Sequence, residues 1–126
     1  MEFKLKTKLK ATAKDIYNSW LSSKGHTEMT GGRAITSNKI GDNFTAWDNY
    51  IIGKNIDLKP YTKIIQSWRT SEFEENEMDS QIEITLNEIN GETELTLLHS
   101  NVPENGEHYI KGWEEHYFFP MKKYFL

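Results

Sequence analysis

The side chains best suited to acid–base or metal chemistry in this sequence are its four histidines. His99 lies on the same side of a predicted strand as Leu95 and Leu97, so we expect it to face the core. Its titration range would suit proton transfer, but no nucleophile or metal ligand stands near it, and such a histidine is more commonly a hydrogen-bonded core residue. His108 and His116 are predicted to lie about 80° apart around a helix, a poor arrangement for a shared metal. We therefore predict no catalytic residue, no metal site and no cofactor.

The composition excludes several other kinds of site and argues against several kinds of partner. The sequence has no cysteine, which excludes disulfides, thiolate nucleophiles and cysteine-ligated zinc or iron–sulfur centres. Its net charge of -4 argues against nucleic acid as a partner, and no stretch approaches the roughly 20 apolar residues of a membrane span. The alternation of charged and apolar residues over positions 1–6 is unlike a signal peptide. We expect one soluble domain over residues 1–126, located in the cytoplasm.

Aromatic residues make up 13% of the sequence, and several of them could line a binding site. An aromatic stripe at helical spacing is commonly part of a core. The alternative is a lined cavity, because sites for small molecules are mostly apolar with a few polar groups. His99 and Gln66 would then orient the ligand, although two adjacent isoleucines, Ile64 and Ile65, leave the register of the Gln66 strand open. The candidate ligand-binding residues are Trp20, Phe44, Trp47, Gln66, Trp68, Ile84, His99, Trp113 and Tyr117.

Glycines mark three positions that need an explanation. Gly112 lies inside a predicted helix, where glycine costs about 1 kcal/mol relative to alanine. It indicates either close approach to the sheet, which we favour, or space left for a ligand. Gly53 lies inside a predicted strand and suggests a bulge. The Gly31-Gly32 pair lacks the later lysine of a phosphate-binding loop and predicts a structural turn.

Residue periodicity predicts the elements that must position these side chains. Residues 2–10 alternate as in a half-buried strand. Thr12 and Asp15 have the spacing of a capping box for a helix that ends near Gly25, and residues 26–32 follow as a loop or a further helical turn. The acidic run at 72–77 is interpreted as a solvated loop or as a contact surface for a basic partner. Short antiparallel strands are predicted at 34–37, 44–47, 50–58, 64–69, 81–88 and 92–99.

A long amphipathic helix is predicted from about Glu107 to the C-terminus. Pro120 should kink it or loosen the turn before it, because proline removes the bond to residue 116. We predict an α+β fold in the order β-α-β(multiple)-α, with a curved antiparallel sheet of about six or seven strands covered on its apolar face by this helix. Lysines on the first strand and Glu92 and Glu94 on the last would pair if those strands were neighbours.

An ordered set of short motifs resembles a known family. The motifs are Met29–Ala34, Gly41–Phe44, the strand with Gly53, Ile64–Arg69, Gly91–Leu97, Val102-Pro103, Gly112-Trp113 and Tyr117–Lys122. From about residue 10 to its end, the chain resembles the C-terminal domain of the activator of heat-shock protein 90 ATPase, in the START-like (helix-grip) superfamily. The resemblance implies a curved sheet wrapped on a long C-terminal helix. START-like relatives commonly bind an apolar small molecule between sheet and helix, and a few are enzymes.

Three functional hypotheses follow from the residues and the resemblance. The leading one is a non-catalytic module that binds a small apolar or amphipathic molecule between the sheet and the C-terminal helix. The second is a protein-interaction module with a chaperone of the heat-shock protein 90 class as its partner, which exposed apolar residues near Phe73, Phe118 or Phe125 would favour. The third is a START-like cyclase or hydrolase, which needs a polar pair with perturbed pKa values inside the cavity.

Overall fold

The computed structural model describes all 126 residues and shows a six-stranded antiparallel sheet packed against helices. The elements before the last helical region are β1 (Phe3–Leu9), α1 (Ala13–Trp20), α2 (Ser23–Thr30), β2 (Asn43–Ala46), β3 (Ile51–Lys59), β4 (Lys63–Thr70), β5 (Ser80–Ile89) and β6 (Glu92–Ser100). The C-terminal helix consists of α3 (His108–Trp113), a π-helical segment (Glu114–Phe118) and α4 (Phe119–Tyr124). The strands lie side by side in the order β1-β6-β5-β4-β3-β2. This architecture confirms the predicted α+β fold.

Alternation along the strands directs every second side chain to the inner face of the sheet. In β4, Ile64, Gln66 and Trp68 are buried and Ile65 points outward, which settles the register left open by the sequence. The first and last strands are neighbours, as the charge pattern predicted. Lys6 Nζ lies 3.9 Å from a carboxylate oxygen of Glu94 on the outer face. Both side chains are exposed, so this pair contributes at most about 1 kcal/mol.

The first helical region contains two helices because two hydroxyl caps follow each other. Thr12 Oγ1 accepts a hydrogen bond from the Asp15 amide and begins α1, as predicted. The prediction that this helix runs to Gly25 is wrong: α1 ends at Trp20, and Ser22 begins α2 by accepting a bond from the Gly25 amide. Gly25 serves close packing between the two helices, since a Cβ there would lie 2.8 Å from Ser19 Cα.

The predicted strand at 34–37 is also wrong, because side chains of α2 bind its backbone instead of a neighbouring strand. Ser23 Oγ accepts a bond from the Thr36 amide, and Thr27 Oγ1 accepts one from the Ala34 amide. Only one isolated bridge joins this segment to the sheet, between Ile35 and Thr45.

The bulge predicted at Gly53 lies further along β3, between Asn55 and Asp57. Gly53 instead allows a close approach of strands and side chains. A Cβ at this position would lie 2.0 Å from the Ser67 carbonyl oxygen and 2.5 Å from the Phe44 ring. Only a residue without a side chain therefore fits here.

Pro120 acts on the C-terminal helix as predicted. The turn immediately before it is π-helical, and the Phe119 amide bonds the carbonyl of Glu114, five residues back. The wider turn brings two consecutive residues, Tyr117 and Phe118, into the core. No helix in the chain is both long enough and apolar enough to cross a membrane.

Candidate functional site

A cleft of about 490 Å³ lies between the C-terminal helix and the part of the sheet around the β2–β3 turn. The sheet side contributes Trp47, Tyr50, Ile51 and Trp68. The helix contributes an apolar wall and a polar mouth, formed by Tyr109, Gly112, Trp113 and Tyr117 in the wall and His108, Lys111, Glu115 and His116 at the mouth. Its volume and lining suit a small molecule that is mainly apolar.

Four of the nine predicted ligand-binding residues line this cleft, namely Trp47, Trp68, Trp113 and Tyr117. The remaining five are buried and are not among its lining residues: Trp20, Phe44, Gln66, Ile84 and His99. The structure therefore places part of the predicted set around empty space and the rest in the packed core behind it.

His99 belongs to the core and is fully hydrogen-bonded. Its Nδ1 accepts a bond of 3.1 Å from the Trp113 indole. Because an indole only donates, Nε2 of His99 carries the proton and donates to Ser80 Oγ at 2.8 Å, whose hydroxyl donates to the Trp68 carbonyl. Burial lowers the pKa of His99 to about 3, so the ring is neutral and orients Trp113.

Gln66 is the centre of a second buried polar chain. Its side-chain oxygen accepts a bond of 3.2 Å from the Trp20 indole, and its amide donates to Asn55 Oδ1 at 2.8 Å. The amide of Asn55 then donates to the carbonyls of Ser37 and Lys39. These bonds satisfy Gln66 and tie α1 to the sheet and to the segment before β2.

His26 lies behind the cleft wall and supports it in a way that the sequence analysis did not predict. Its Nδ1 donates to the Trp20 carbonyl at 2.9 Å, so its Nε2 accepts from the Tyr117 hydroxyl at 3.0 Å. Burial lowers the pKa of His26 to about 4 and raises that of Tyr117. This histidine fixes a tyrosine of the cleft wall, and no local pattern could reveal it because its partner lies 91 residues away.

The rings at the cleft wall continue directly into the aromatic core. Trp113 stacks on Trp20 at 6.3 Å and lies 5.7 Å from Trp68 and 4.7 Å from Tyr117, between ring centroids. Three residues therefore belong both to the core and to the cleft wall: Trp68, Trp113 and Tyr117. Their mutual contacts hold the cleft wall in a fixed shape.

Gly112 faces open space. A Cβ placed on it would meet no atom within 4 Å, and the residue lines the cleft. The favoured prediction of close packing against the sheet is therefore wrong. The missing side chain enlarges the cleft, and no contact offsets the cost of about 1 kcal/mol that glycine carries inside a helix.

Three elements meet at one carboxylate beside the cleft. The Tyr50 hydroxyl donates a hydrogen bond to Glu72 Oε2, and His108 Nε2 lies 3.5 Å from the same oxygen. Burial, followed by the bond to Glu72, raises the pKa of Tyr50. We call Tyr50, Glu72 and His108 the rim clamp. It connects the β2–β3 turn, the β4–β5 loop and the first residue of α3.

The acidic loop that supplies Glu72 is ordered around an arginine. Arg69 donates to the carbonyls of Glu74 and Glu77 and to the Asp79 carboxylate at 2.8 Å. Phe73 is buried against Trp68 and Tyr109. This run of acidic residues is therefore a folded part of the cleft surroundings, although Glu72, Glu74 and Glu75 are exposed.

Exposed apolar residues gather at the end of the C-terminal helix. Phe118 is buried and Phe125 is partly buried, but the neighbouring Phe119, Tyr124 and Leu126 are 59%, 45% and 88% exposed. Lys122 and Lys123 lie among them. We call Phe119, Tyr124 and Leu126, with these two lysines, the C-terminal patch.

Comparison with known proteins finds a family that covers almost the whole chain. The family model described as Activator of Hsp90 ATPase homolog 1-like protein matches residues 10–125. The human Activator of 90 kDa heat shock protein ATPase homolog 1 is 26% identical over 122 residues, covering 96% of this chain and 36% of the human protein. The chain thus spans about a third of the length of the curated relatives it matches.

Solved structures share the fold. An HSP90 activator from Plasmodium falciparum has a TM-score of 0.82 at 20% identity, covering 94% of this chain and 91% of that one. The Aha1 dimer from Colwellia psychrerythraea has a TM-score of 0.83 at 16% identity, with 99% and 96% covered. At these identities the likeness concerns the fold alone.

Proposed function

This chain belongs to the family of Activator of Hsp90 ATPase homolog 1-like proteins, and we propose that it is a non-catalytic binding module that holds a small apolar or amphipathic molecule in its cleft. The observation that carries the proposal is the open space at Gly112, beside a wall of aromatic rings. A volume of about 490 Å³ falls within the range of about 300–1,000 Å³ typical of small-molecule sites.

The state of the polar groups supports binding rather than catalysis. His26 and His99 are neutral and bonded within the core. At the cleft mouth, Tyr50 and His108 are both engaged with Glu72. Each of these four side chains already has a polar partner within the protein, which favours a binding role. The apolar wall and the polar mouth suit an amphipathic ligand whose polar end lies near the solvent.

Mass spectrometry of freshly purified protein, native against denaturing, tests the proposal. We expect a reproducible extra mass that is lost on denaturation. Gly112→Leu should retain much less of it, because the new side chain enters the cleft. Glu114→Leu, on an exposed position of the same helix, should retain the wild-type amount. Equal loss in both variants, or an extra mass that neither variant changes, would place the ligand elsewhere and contradict the proposal.

A second candidate is contact with a chaperone of the heat-shock protein 90 class. The family match and the C-terminal patch favour it. An exposed apolar surface rimmed by lysines suits a partner surface that is apolar and acidic. The test is the ATPase rate of purified human heat-shock protein 90 with and without this chain. Stimulation that is lost in Phe119→Ser and kept in Ile89→Ser, at a comparably exposed position on the β5–β6 hairpin, would support this function. An unchanged ATPase rate would contradict it.

A further inference from the structure

We propose that the turn from Trp47 to Tyr50 is the gate of the cleft and that the rim clamp holds this gate closed. The inference rests on the proposed function, because the gate controls entry to the same site. Both ends of the turn line the cleft. A movement of this turn would therefore change the opening without disturbing the strands of the sheet.

The backbone of the turn is strained. Trp47, Asp48 and Asn49 have φ angles of 51°, 54° and 72°, and none of them is a glycine. Aspartate and asparagine adopt such angles more readily than other residues, but a bulky residue such as tryptophan rarely does. Conformations of this kind often occur at ligand clamps and switch regions. Three in succession make this turn a segment that would relax if its attachments were released.

The turn is attached to neighbouring elements through backbone hydrogen bonds and through the Trp47 ring. The Asp48 amide donates to the Arg33 carbonyl at 2.9 Å, and the Trp47 ring packs over Gly32, where a Cβ would lie 2.4 Å from it. The Trp47 ring also meets the edge of His116 on the C-terminal helix, with centroids 5.5 Å apart. These contacts seat the tryptophan against the opposite wall of the cleft.

The rim clamp fastens the other end of the turn. Tyr50 and His108 lie on opposite sides of the cleft, and both reach the one carboxylate of Glu72. The clamp therefore closes a bridge from the sheet to α3 across the rim. Because Tyr50 follows the strained residues directly, loss of its bond to Glu72 would release the turn toward a relaxed backbone and widen the cleft.

Amide hydrogen exchange of the ligand-free protein tests the gate alone. The amides of Asp48 and Tyr50 report the turn, since both bond carbonyls within or beside it. Tyr50→Phe should speed their exchange by about tenfold or more, the factor expected from loss of a hydrogen bond to a charged group. Tyr61→Phe is the matched control, because it removes an exposed tyrosine hydroxyl on the β3–β4 turn, which does not line the cleft. Equal exchange in Tyr50→Phe and wild type would overturn the gate.

The binding kinetics of a fluorescent apolar probe test whether the gate controls entry to the cleft. In stopped-flow mixing with N-phenyl-1-naphthylamine, Tyr50→Phe should raise both the association and the dissociation rate constants about tenfold. Tyr61→Phe should leave them unchanged. Unchanged rate constants in Tyr50→Phe, with tight probe binding, would refute the gate and leave the cleft proposal intact. If wild type and variants do not bind the probe, the proposed function fails, and the amide exchange still decides whether the turn opens.

Discussion

Two substitutions of Gly112 distinguish the effect of this residue on protein stability from its effect on ligand binding in the cleft. Gly112→Ala adds a side chain to a helical position where a Cβ meets no atom within 4 Å. The free energy of unfolding should rise by about 0.5–1 kcal/mol, because alanine loses less backbone freedom on folding than glycine. In a chain of this size, that gain corresponds to a rise in melting temperature of about 2–4 °C.

Gly112→Leu should keep this gain and close part of the cleft. Leucine is nearly as good a helix former as alanine, and its additional carbon atoms would extend into the space that the glycine leaves. A ligand that uses this space would then be displaced or forced to repack. We expect binding of N-phenyl-1-naphthylamine to weaken by about tenfold or more, the effect of a misfit of one or two carbon groups in an apolar site.

Thermal unfolding by circular dichroism and a fluorescence titration with the probe measure the two quantities in the same samples. Glu114→Leu is the control for adding an apolar side chain to this helix without reaching the cleft. A melting temperature that falls in both Gly112 variants would show that the position is packed, and the reasoning from open space would be wrong. Unaltered probe affinity in Gly112→Leu would likewise refute the assignment of the cleft.

Two further predictions concern the fold that carries the site. The unfolded chain protonates His26 and His99 near pH 6.5, whereas in the folded protein their pKa values are about 4 and about 3. Their contribution to stability is therefore complete above pH 6.5 and is lost as the pH falls toward 4, by up to about 1.4 kcal/mol per pH unit for each histidine. Urea unfolding between pH 7 and pH 4 should show this slope in wild type and in the control His116→Gln. A free energy of unfolding that does not change with pH would contradict the prediction. Gly53→Ala should destabilise the protein by about 1–3 kcal/mol or more, because the new Cβ would lie 2.0 Å from the Ser67 carbonyl oxygen, and an unchanged urea midpoint would refute that close contact.

Elements with local signals were predictable from the sequence. The Asn90-Gly91 turn joins β5 and β6 with positive φ at both residues, as its composition requires. Pro120 loosened the turn before it because proline cannot donate the helical hydrogen bond to residue 116. The failures have two causes. Ser23 and Thr27 of α2 bind the backbone of the segment that alternates like a strand, 13 and 7 residues further along the chain. The helix predicted to end near Gly25 is divided by the cap at Ser22.

The aromatic type of the lining residues was predictable from the sequence, but which of these residues border the cleft was not. Trp20 and Trp113 both recur at helical spacing, yet only Trp113 borders the cleft, because Trp20 is covered by Gln66, His26 and other rings. Which rings remain next to empty space depends on where the C-terminal helix lies. That placement follows from tertiary contacts, including the bond between His26 and Tyr117, which no short window of sequence contains.

An amide and indole nuclear magnetic resonance titration with N-phenyl-1-naphthylamine is the most direct test of the central claim that the cleft is a ligand site. The account predicts large shifts of the Gly112 amide and the Trp47 indole, with little change in the Trp20 indole, which is bonded to Gln66 in the core. Shifts concentrated on the outer face of the sheet or at the C-terminal patch, with Gly112 unchanged, would contradict it.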